Sequence, residues 1–482
     1  MRRLLLLPLA FLAACTTVGP DYKRPDVALP GSFSLGESQG NENLPANWWT
    51  LYGDAKLDEL VAAAQAKNAD LRIAAARVQE AEGALREAGA LLFPDVGLNA
   101  GYTGNRVSRF TTPPGTVSGF PAVRGANTVT LSTNYELDFW GKYARGSEAA
   151  RASLLGSRYA RDVVGITLAG TVAQSYFALR SLDVQSQVLE RTIRARSDAL
   201  ELARARAQAG IASDLDVFQA QGALSDALVQ KRDTDRQRAV VERQLGQLTG
   251  TSGLKVPPGD LFALPVPPTP PAGLPSALLD RRPDIRNAEQ SLVAANAQIG
   301  VAKAALFPQL NLTAAAGAQS AAFHNLMETG AGIWTLGFAL ALPVFDAGRR
   351  GARVEQAEAR EQQALGNYQK AVETGFREVS EGLINVEQSG ASEGDLMKRL
   401  EAARNSLDLS NVRYQAGYSP FLEVLDAQRT ANDAELAFVR NRQARLSFSV
   451  DLMKALGGGW SDATTSRAAK QARIAVLPEA RP

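Results

Sequence analysis

One stretch of this chain occurs twice. RAQAGIASDLDVFQAQG, at 206–222, returns as RYQAGYSPFLEVLDAQR, at 413–429, a constant offset of 207 residues. Gln208/Gln415, Gly210/Gly417, Leu215/Leu422, Val217/Val424, Ala220/Ala427 and Gln221/Gln428 are identical, and Asp216 meets Glu423. A period that long excludes a solenoid, whose repeats run to about 50 residues. The fold is therefore expected to be one plan carried out twice.

The order of predicted elements repeats as well. Residues 53–92 read as helix, and Leu92-Phe93-Pro94 stops it because proline has no N–H to give. An alternating region follows, then a long helix over about 143–208, a break at Gly210, and a helix over 214–248. A Pro-rich connector at 251–275 separates this first repeat, 53–250, from a second, 276–457. There the helix ends at Leu306-Phe307-Pro308, a second alternating region follows, and helices are predicted over 349–415 and on to about 456. Gly457-Gly458-Gly459 reads as a terminator, opening a tail at 458–482.

The long helices carry sustained apolar seams. Leu168, Val172, Leu179, Leu182, Leu189 and Leu200 recur at helical spacing, as do Tyr368, Val372, Phe376, Val379, Leu383 and Val386. A helix of about 65 residues spans on the order of 100 Å. No compact globule needs that length.

The alternating regions have strand periodicity. Val129, Leu131, Thr133, Tyr135 and Leu137 share one face, with Asn134, Glu136 and Asp138 on the other; Val96, Leu98, Ala100 and Tyr102 supply a partner strand. In the second repeat Leu310, Leu312, Ala314 and Ala316 alternate, as do Trp334, Leu336, Phe338 and Leu340. Strands of about ten residues with one apolar face fit a membrane β-barrel, although two soluble hairpins would show the same alternation. Open strand edges are not tolerated in hydrocarbon, and barrels within one chain begin at about eight strands. Four strands must then be completed by other chains. Two chains give a filled barrel and three give twelve strands with a lumen, and Asn134, Glu136 and Asp138 favour water inside.

The N-terminus, MRRLLLLPLAFLAAC, has two arginines, a short apolar run, small residues and the only cysteine, Cys15. This resembles a lipoprotein signal peptide over 1–14, with Cys15 becoming a lipid-modified first residue. Thr16 stands where an inner-membrane retention signal would place aspartate, which implies sorting to the outer membrane. A Pro- and Gly-rich segment, 15–52, would then be lipid-anchored. No other run of 18 or more apolar residues suggests a helix crossing a membrane.

Charge and site chemistry exclude other classes. With 52 basic and 50 acidic residues mixed along 482, there is no concentrated basic face for nucleic acid. One cysteine and one histidine, His324, cannot build a metal cluster, so no metal and no cofactor beyond the covalent lipid is expected. No constellation of catalytic side chains appears. Arg281-Arg282 and Arg349-Arg350 read as solvated helix-end charges.

Taken in order, VGPDYKRP, NWWTLYGDAKLDELVAAA, the paired LFP ends, LDFWGK matched by LPVFDAGRR, LLDRRPDIRNAEQ and YQAGYSPFLEVLDAQR resemble the TolC-like outer-membrane efflux channels, in their lipoprotein (OprM/NodT) branch. The resemblance covers essentially the whole mature chain. It implies an α+β membrane protein, a homotrimer whose duplicated helical hairpins form a periplasmic tunnel below a shared 12-stranded barrel. It further implies docking to a periplasmic adaptor and an inner-membrane pump of the resistance-nodulation-division type, for export of small molecules. The channel would perform no chemistry.

The duplicated segment then reads as two helical hairpin tips. Gly210 and Gly417 supply the left-handed turn residue, Ser213 and Ser419 are expected to N-cap the next helix, and Pro420 to occupy its first turn. These turns are the expected adaptor contacts. The copies differ at Asp426, which faces Gln219, and at Arg429, which faces Gly222. Leu422, Asp426 and Arg429 share a helical face, and the matching family positions line the closed periplasmic aperture. The plain alternative is an ordinary surface ion pair. The competing function is a pore-less periplasmic lipoprotein of the adaptor type, which would lack duplicated membrane hairpins.

Overall fold

The computed structural model describes residues 17–27, 44–106, 108, 123–269 and 278–460. The signal peptide, Cys15 and Thr16 lie outside the described residues, as do 270–275 of the connector and 461–482 of the tail. The helices longer than one turn or two are α1 (Ala55–Lys67), α2 (Ala69–Ala90), α3 (Lys142–Gln208), α4 (Asp214–Leu248), α5 (Pro283–Ala304), α6 (Arg349–Gln415) and α7 (Phe421–Ala455). The strands are β1 (Asp95–Arg106), β2 (Val123–Leu137), β3 (Gln309–Ser320) and β4 (Gly332–Ala341). Equivalent elements match in length: α3 and α6 have 67 residues each, α4 and α7 have 35, α2 and α5 have 22. The chain forms two compact units, each taking a share of both repeats, with α3 passing from one to the other after Ser157 and α6 after Tyr368.

The first unit holds the sheet, antiparallel throughout in the order β1-β2-β3-β4. Residues directly opposite in antiparallel strands point to the same face. The register aligns Leu98 with Leu131, Leu131 with Ala316 and Ala316 with Trp334, so every predicted apolar face falls on one side. On β4 that side is bare, with Trp334 79% and Phe338 77% exposed. β1 and β4 are the sheet's two edges.

At the sheet's end the repeated motifs lock together. The Trp140 indole N–H donates to the Pro308 carbonyl (2.7 Å) and its ring stacks on Phe307, while the Tyr135 hydroxyl donates to the Leu92 carbonyl (3.1 Å). Each LFP stop is thus fastened from β2 or the turn after it. Two acidic residues near the end of β2 have local partners. Asp138 lies beyond the end of β2 and accepts the Tyr143 and Ala144 N–H groups, capping α3; Glu136 takes Lys142 and the Tyr143 hydroxyl (2.6 Å). The Asp138 carboxylate thus satisfies a helix start, while Glu136, on the polar face of β2, binds side chains of that start. Asp346 does the same for α6, accepting the Gly348 and Arg350 N–H groups.

The VGPDYKRP segment straps this unit. Val18 N–H donates to the Trp140 carbonyl, Asp21 pairs with Arg145 (2.6 Å), and Tyr22 and Arg24 both reach Glu289. Gly19 (φ 111°) lies so close to Gly300 that a Cβ there would meet its Cα at 2.6 Å, so only glycine fits.

The second unit is cored by Trp48, Tyr52, Leu57 and Val61 from the NWWTLYGDAKLDELV segment, packed with Leu168, Val172, Tyr176 and Phe177 of α3 and Val450 and Met453 of α7. One 18-residue window of α3 is apolar enough, by length and composition, to cross a membrane, and half of it is buried in the chain itself. The predicted helix over 53–92 is in fact two. Asn68, in an extended conformation, ends α1, then accepts the Asp70 and Leu71 N–H groups and donates to the Leu248 carbonyl. An asparagine inside a helical pattern was a cap without a breaker beside it.

The connector lies against this core. Arg180 donates to the Pro257 carbonyl (2.6 Å), Arg238 to Val256 (2.8 Å) and Arg442 to Leu264 (2.7 Å). Buried Asp183 holds Arg180, Arg238 and the Gly259 N–H, and Glu242 holds Lys255 and the Val256 N–H. Arg282 is also corrected: instead of being solvated, it is buried. It donates to the Ala455 carbonyl at the end of α7 (3.0 Å) and pairs with Asp284 and Glu378 (2.7 Å each).

Candidate functional site at the hairpin tips

Both duplicated segments are helical hairpin tips. Ile211 N–H reaches back to the Arg206 carbonyl and Gly210 N–H to Ala207; Tyr418 reaches Arg413 and Gly417 reaches Tyr414. This paired pattern is the Schellman turn, and it needs the left-handed residue that Gly210 (φ 72°) and Gly417 (φ 82°) provide.

The helix starts differ. Ser213 caps α4, its hydroxyl accepting the Leu215 N–H (3.1 Å). Ser419 does not cap α7. Pro420, in extended conformation, takes the cap position itself, and the Ser419 hydroxyl is left buried among the chain's own atoms without a partner. The ring moved the start one residue on, beyond the serine's reach.

The two tips are clasped to each other. The Arg206 guanidinium stands 4.7 Å above the Tyr414 ring and donates to the Tyr414 carbonyl (3.1 Å), while the same ring packs on Phe421. Leu200, Ala203, Ala220 and Val424 complete this small core. Burial pushes the Tyr414 phenol above its ordinary pKa. The Arg206–Tyr414 pairing was missed at the sequence level, yet a signal existed: Tyr414 faces Ala207 at the repeat offset, whereas Arg206 faces Arg413.

Leu422, Asp426 and Arg429 fall on the exposed side of α7, opposite buried Phe421, Val424 and Ala427. The Arg429 guanidinium donates to the Asp426 carboxylate at 2.6 Å within the same helix. Leu422 is 60% exposed. Within one chain the geometry is that of a solvated i, i+3 pair, worth a few tenths of a kcal/mol. His324 sits exposed in a short turn between β3 and β4, and no metal-binding cluster occurs among the described residues.

A family model described as "Outer membrane efflux protein" matches residues 60–251 and 274–458. The chain is 35% identical over 466 residues to the pyoverdine export outer membrane protein OpmQ of Pseudomonas aeruginosa, covering 94% of this chain and 97% of that one. It is 33% identical over 470 residues to the toluene efflux pump outer membrane protein TtgF of Pseudomonas putida, covering 94% and 95%. The open state of the Neisseria gonorrhoeae MtrE outer membrane channel superposes at TM-score 0.82 with 28% identity, over 92% of this chain and 99% of that one.

Proposed function

The chain belongs to the outer membrane efflux protein family, and on that premise we propose that three copies form a passive, gated exit duct for small molecules. The outer-membrane location and the channel role come with the family. They set aside the reading as a pore-less adaptor. The observation that carries the trimer is the four-stranded sheet with two open edges and one bare apolar face. In hydrocarbon each unpaired backbone group costs several kcal/mol, so β1 of one copy must pair with β4 of the next. Three copies supply twelve strands and a lumen.

On this reading the duct is driven from elsewhere. A periplasmic adaptor contacts the turns at Gly210, Ser213, Gly417 and Ser419, and an inner-membrane pump of the resistance-nodulation-division type supplies the energy. Cys15 carries the lipid. The strap from Val18 onto the Trp140 carbonyl supports this, since only two residues separate Cys15 from a point at the end of the sheet.

Threefold symmetry brings three copies of Leu422, Asp426 and Arg429 around one axis. Like charges there would repel, and the Asp426–Arg429 pair within each helix neutralises them, allowing the aperture to close. The open state of MtrE supports a channel that changes aperture. Reconstitution in planar bilayers tests the assignment: Asp426→Ala and Arg429→Ala should each raise single-channel conductance. Wild-type conductance in both would remove the gate from these residues, and a detergent particle of one chain mass would remove the trimer.

A further inference from the structure

Gly457-Gly458-Gly459 has the sequence of a terminator, and the turn it makes is unusually confined. The Gly458 N–H reaches back to the Met453 carbonyl and the Gly457 N–H to Lys454, the same paired turn that closes α3 and α6. All three glycines have positive φ (98°, 58° and 68°). Each is hemmed in by a different segment: a Cβ on Gly457 would run into the Arg281 carbonyl, one on Gly458 into Ile166 of α3, and one on Gly459 into the Pro45 carbonyl. A turn in open solvent needs one such glycine. Three in a row without room for a methyl group mark a turn threaded between other parts of the chain.

The turn delivers Trp460. Its indole N–H donates to one Asp162 carboxylate oxygen (2.9 Å), Arg161 donates to the other (2.7 Å), and the indole stands edge-on to the Tyr159 ring.

Residues 44–52 come to the same place from the other end of the sequence. Trp48 and Tyr52 are fully buried in one core with Phe177 of α3 and Val450 and Met453 of α7. The Tyr52 hydroxyl is hydrogen-bonded to Ser449 (2.8 Å), 397 residues away. Pro45 and Ala46 lie backbone to backbone against Gly459. All of these residues belong to the second unit. The seat of the segment is thus built jointly by α3 and by the end of α7 with its glycine turn. A cavity of about 300 Å³ bordered by Trp48, Trp49 and Trp460 shows that side chains do not fill the joint at the turn itself.

We propose that residues 44–52 and 453–460 dock as one cooperative latch, so that the N-terminal segment seats only once the glycine turn has closed. In a chain made from its N-terminus, residues 44–52 exist long before their seat does. Until the turn forms, Trp48 and Tyr52 lack Val450, Met453 and Ser449 and leave aromatic surface bare, the kind of surface that chaperones and proteases engage in unfinished chains. Closure of the latch makes burial of that surface conditional on a chain intact through Trp460. The device belongs to a single copy and stands or falls apart from the trimer and the gate.

Hydrogen exchange read by mass spectrometry on the full chain in detergent tests it, because segments of one cooperative unit open together. Gly459→Ala forces a methyl group onto the Pro45 carbonyl, and Trp460→Ala removes the donor to Asp162. Each should speed exchange of the amides in 44–52 by about tenfold, although neither residue lies in that segment. Tyr52→Phe, which removes only the hydrogen bond to Ser449, should in return speed exchange in 453–460. Trp460→Phe keeps a ring against Tyr159 and should give a smaller rise in 44–52; it serves where an alanine variant does not fold. The sheet and both hairpin tips should exchange as in the parent chain throughout. Unchanged exchange in 44–52 would overturn the latch. So would an effect in one direction only, which describes two separate packings, or an equal rise over the whole chain, which describes a general loss of stability.

Discussion

Arg282 is held where three elements converge: the end of α7 through the Ala455 carbonyl, α6 through Glu378, and the start of α5 through Asp284. Replacing a buried guanidinium by a methyl leaves that carbonyl and two carboxylates without their donor. Arg282→Ala should destabilise the protein by about 2–3 kcal/mol, and Arg282→Lys, lacking the planar fork, should recover only part of that. Thermal unfolding followed by circular dichroism measures both; an unchanged midpoint in the alanine variant would contradict the role. The same residue marks a limit of reading charge from position. A doublet at a helix boundary, Arg281-Arg282, has the composition of solvated ends. What distinguishes its second arginine is that Glu378 and Ala455 arrive from far along the chain.

At the scale of elements, helix starts account for most of the departures from expectation. Asn68, Asp138 and Asp346 each satisfy backbone N–H groups that a helix leaves unpaired at its first turn. Asp138 resembles a strand residue in sequence because it continues the alternation of β2 by one position. The pairing of carboxylates with the connector gives a pH dependence. Burial alone would push the Glu242 carboxyl up, but the Val256 N–H, Lys255 and Arg238 outweigh it and hold it below the usual carboxylate range. A depressed folded-state pKa stabilises above the unfolded value, and that contribution is lost as pH falls through the folded one. Glu242→Gln should therefore unfold with a weaker acid dependence below about pH 4.5 than the parent chain, as followed by tryptophan fluorescence. Parallel acid profiles would show that Glu242 contributes nothing to it.

For the molecule as a whole, two anchoring devices act on different parts of the chain: a sheet whose apolar face meets lipid, and the lipid proposed on Cys15. The sheet's bare face, with Trp334, Leu336, Phe338 and Leu340 in a row on β4, is sufficient for insertion on physical grounds. Cys15→Ser should thus abolish incorporation of labelled fatty acid yet still yield an outer-membrane trimer. Loss of the trimer from the outer membrane fraction would mean the lipid is required for assembly. Equal element lengths in the two repeats matter at this scale too. With 67-residue helices ending in equivalent Schellman turns, the two repeats carry one hairpin design twice.

Much of this architecture was legible in the amino acids because its determinants are local and periodic. Glycine at a turn, proline after a helix, alternation along a strand and a seam every three or four residues placed α3, α4, α6 and α7 to within a residue or two, and they gathered the apolar residues of each strand onto one face. The duplication was visible as identity at a fixed offset. Contacts between distant segments were not legible in this way. The Arg206–Tyr414 clasp, the arginines donating to the connector, the burial of Arg282 and the bareness of one sheet face depend on what lies opposite each side chain. Sequence by itself determined which faces each element has; only the tertiary structure decided which of those faces the chain covers and which it leaves for another copy.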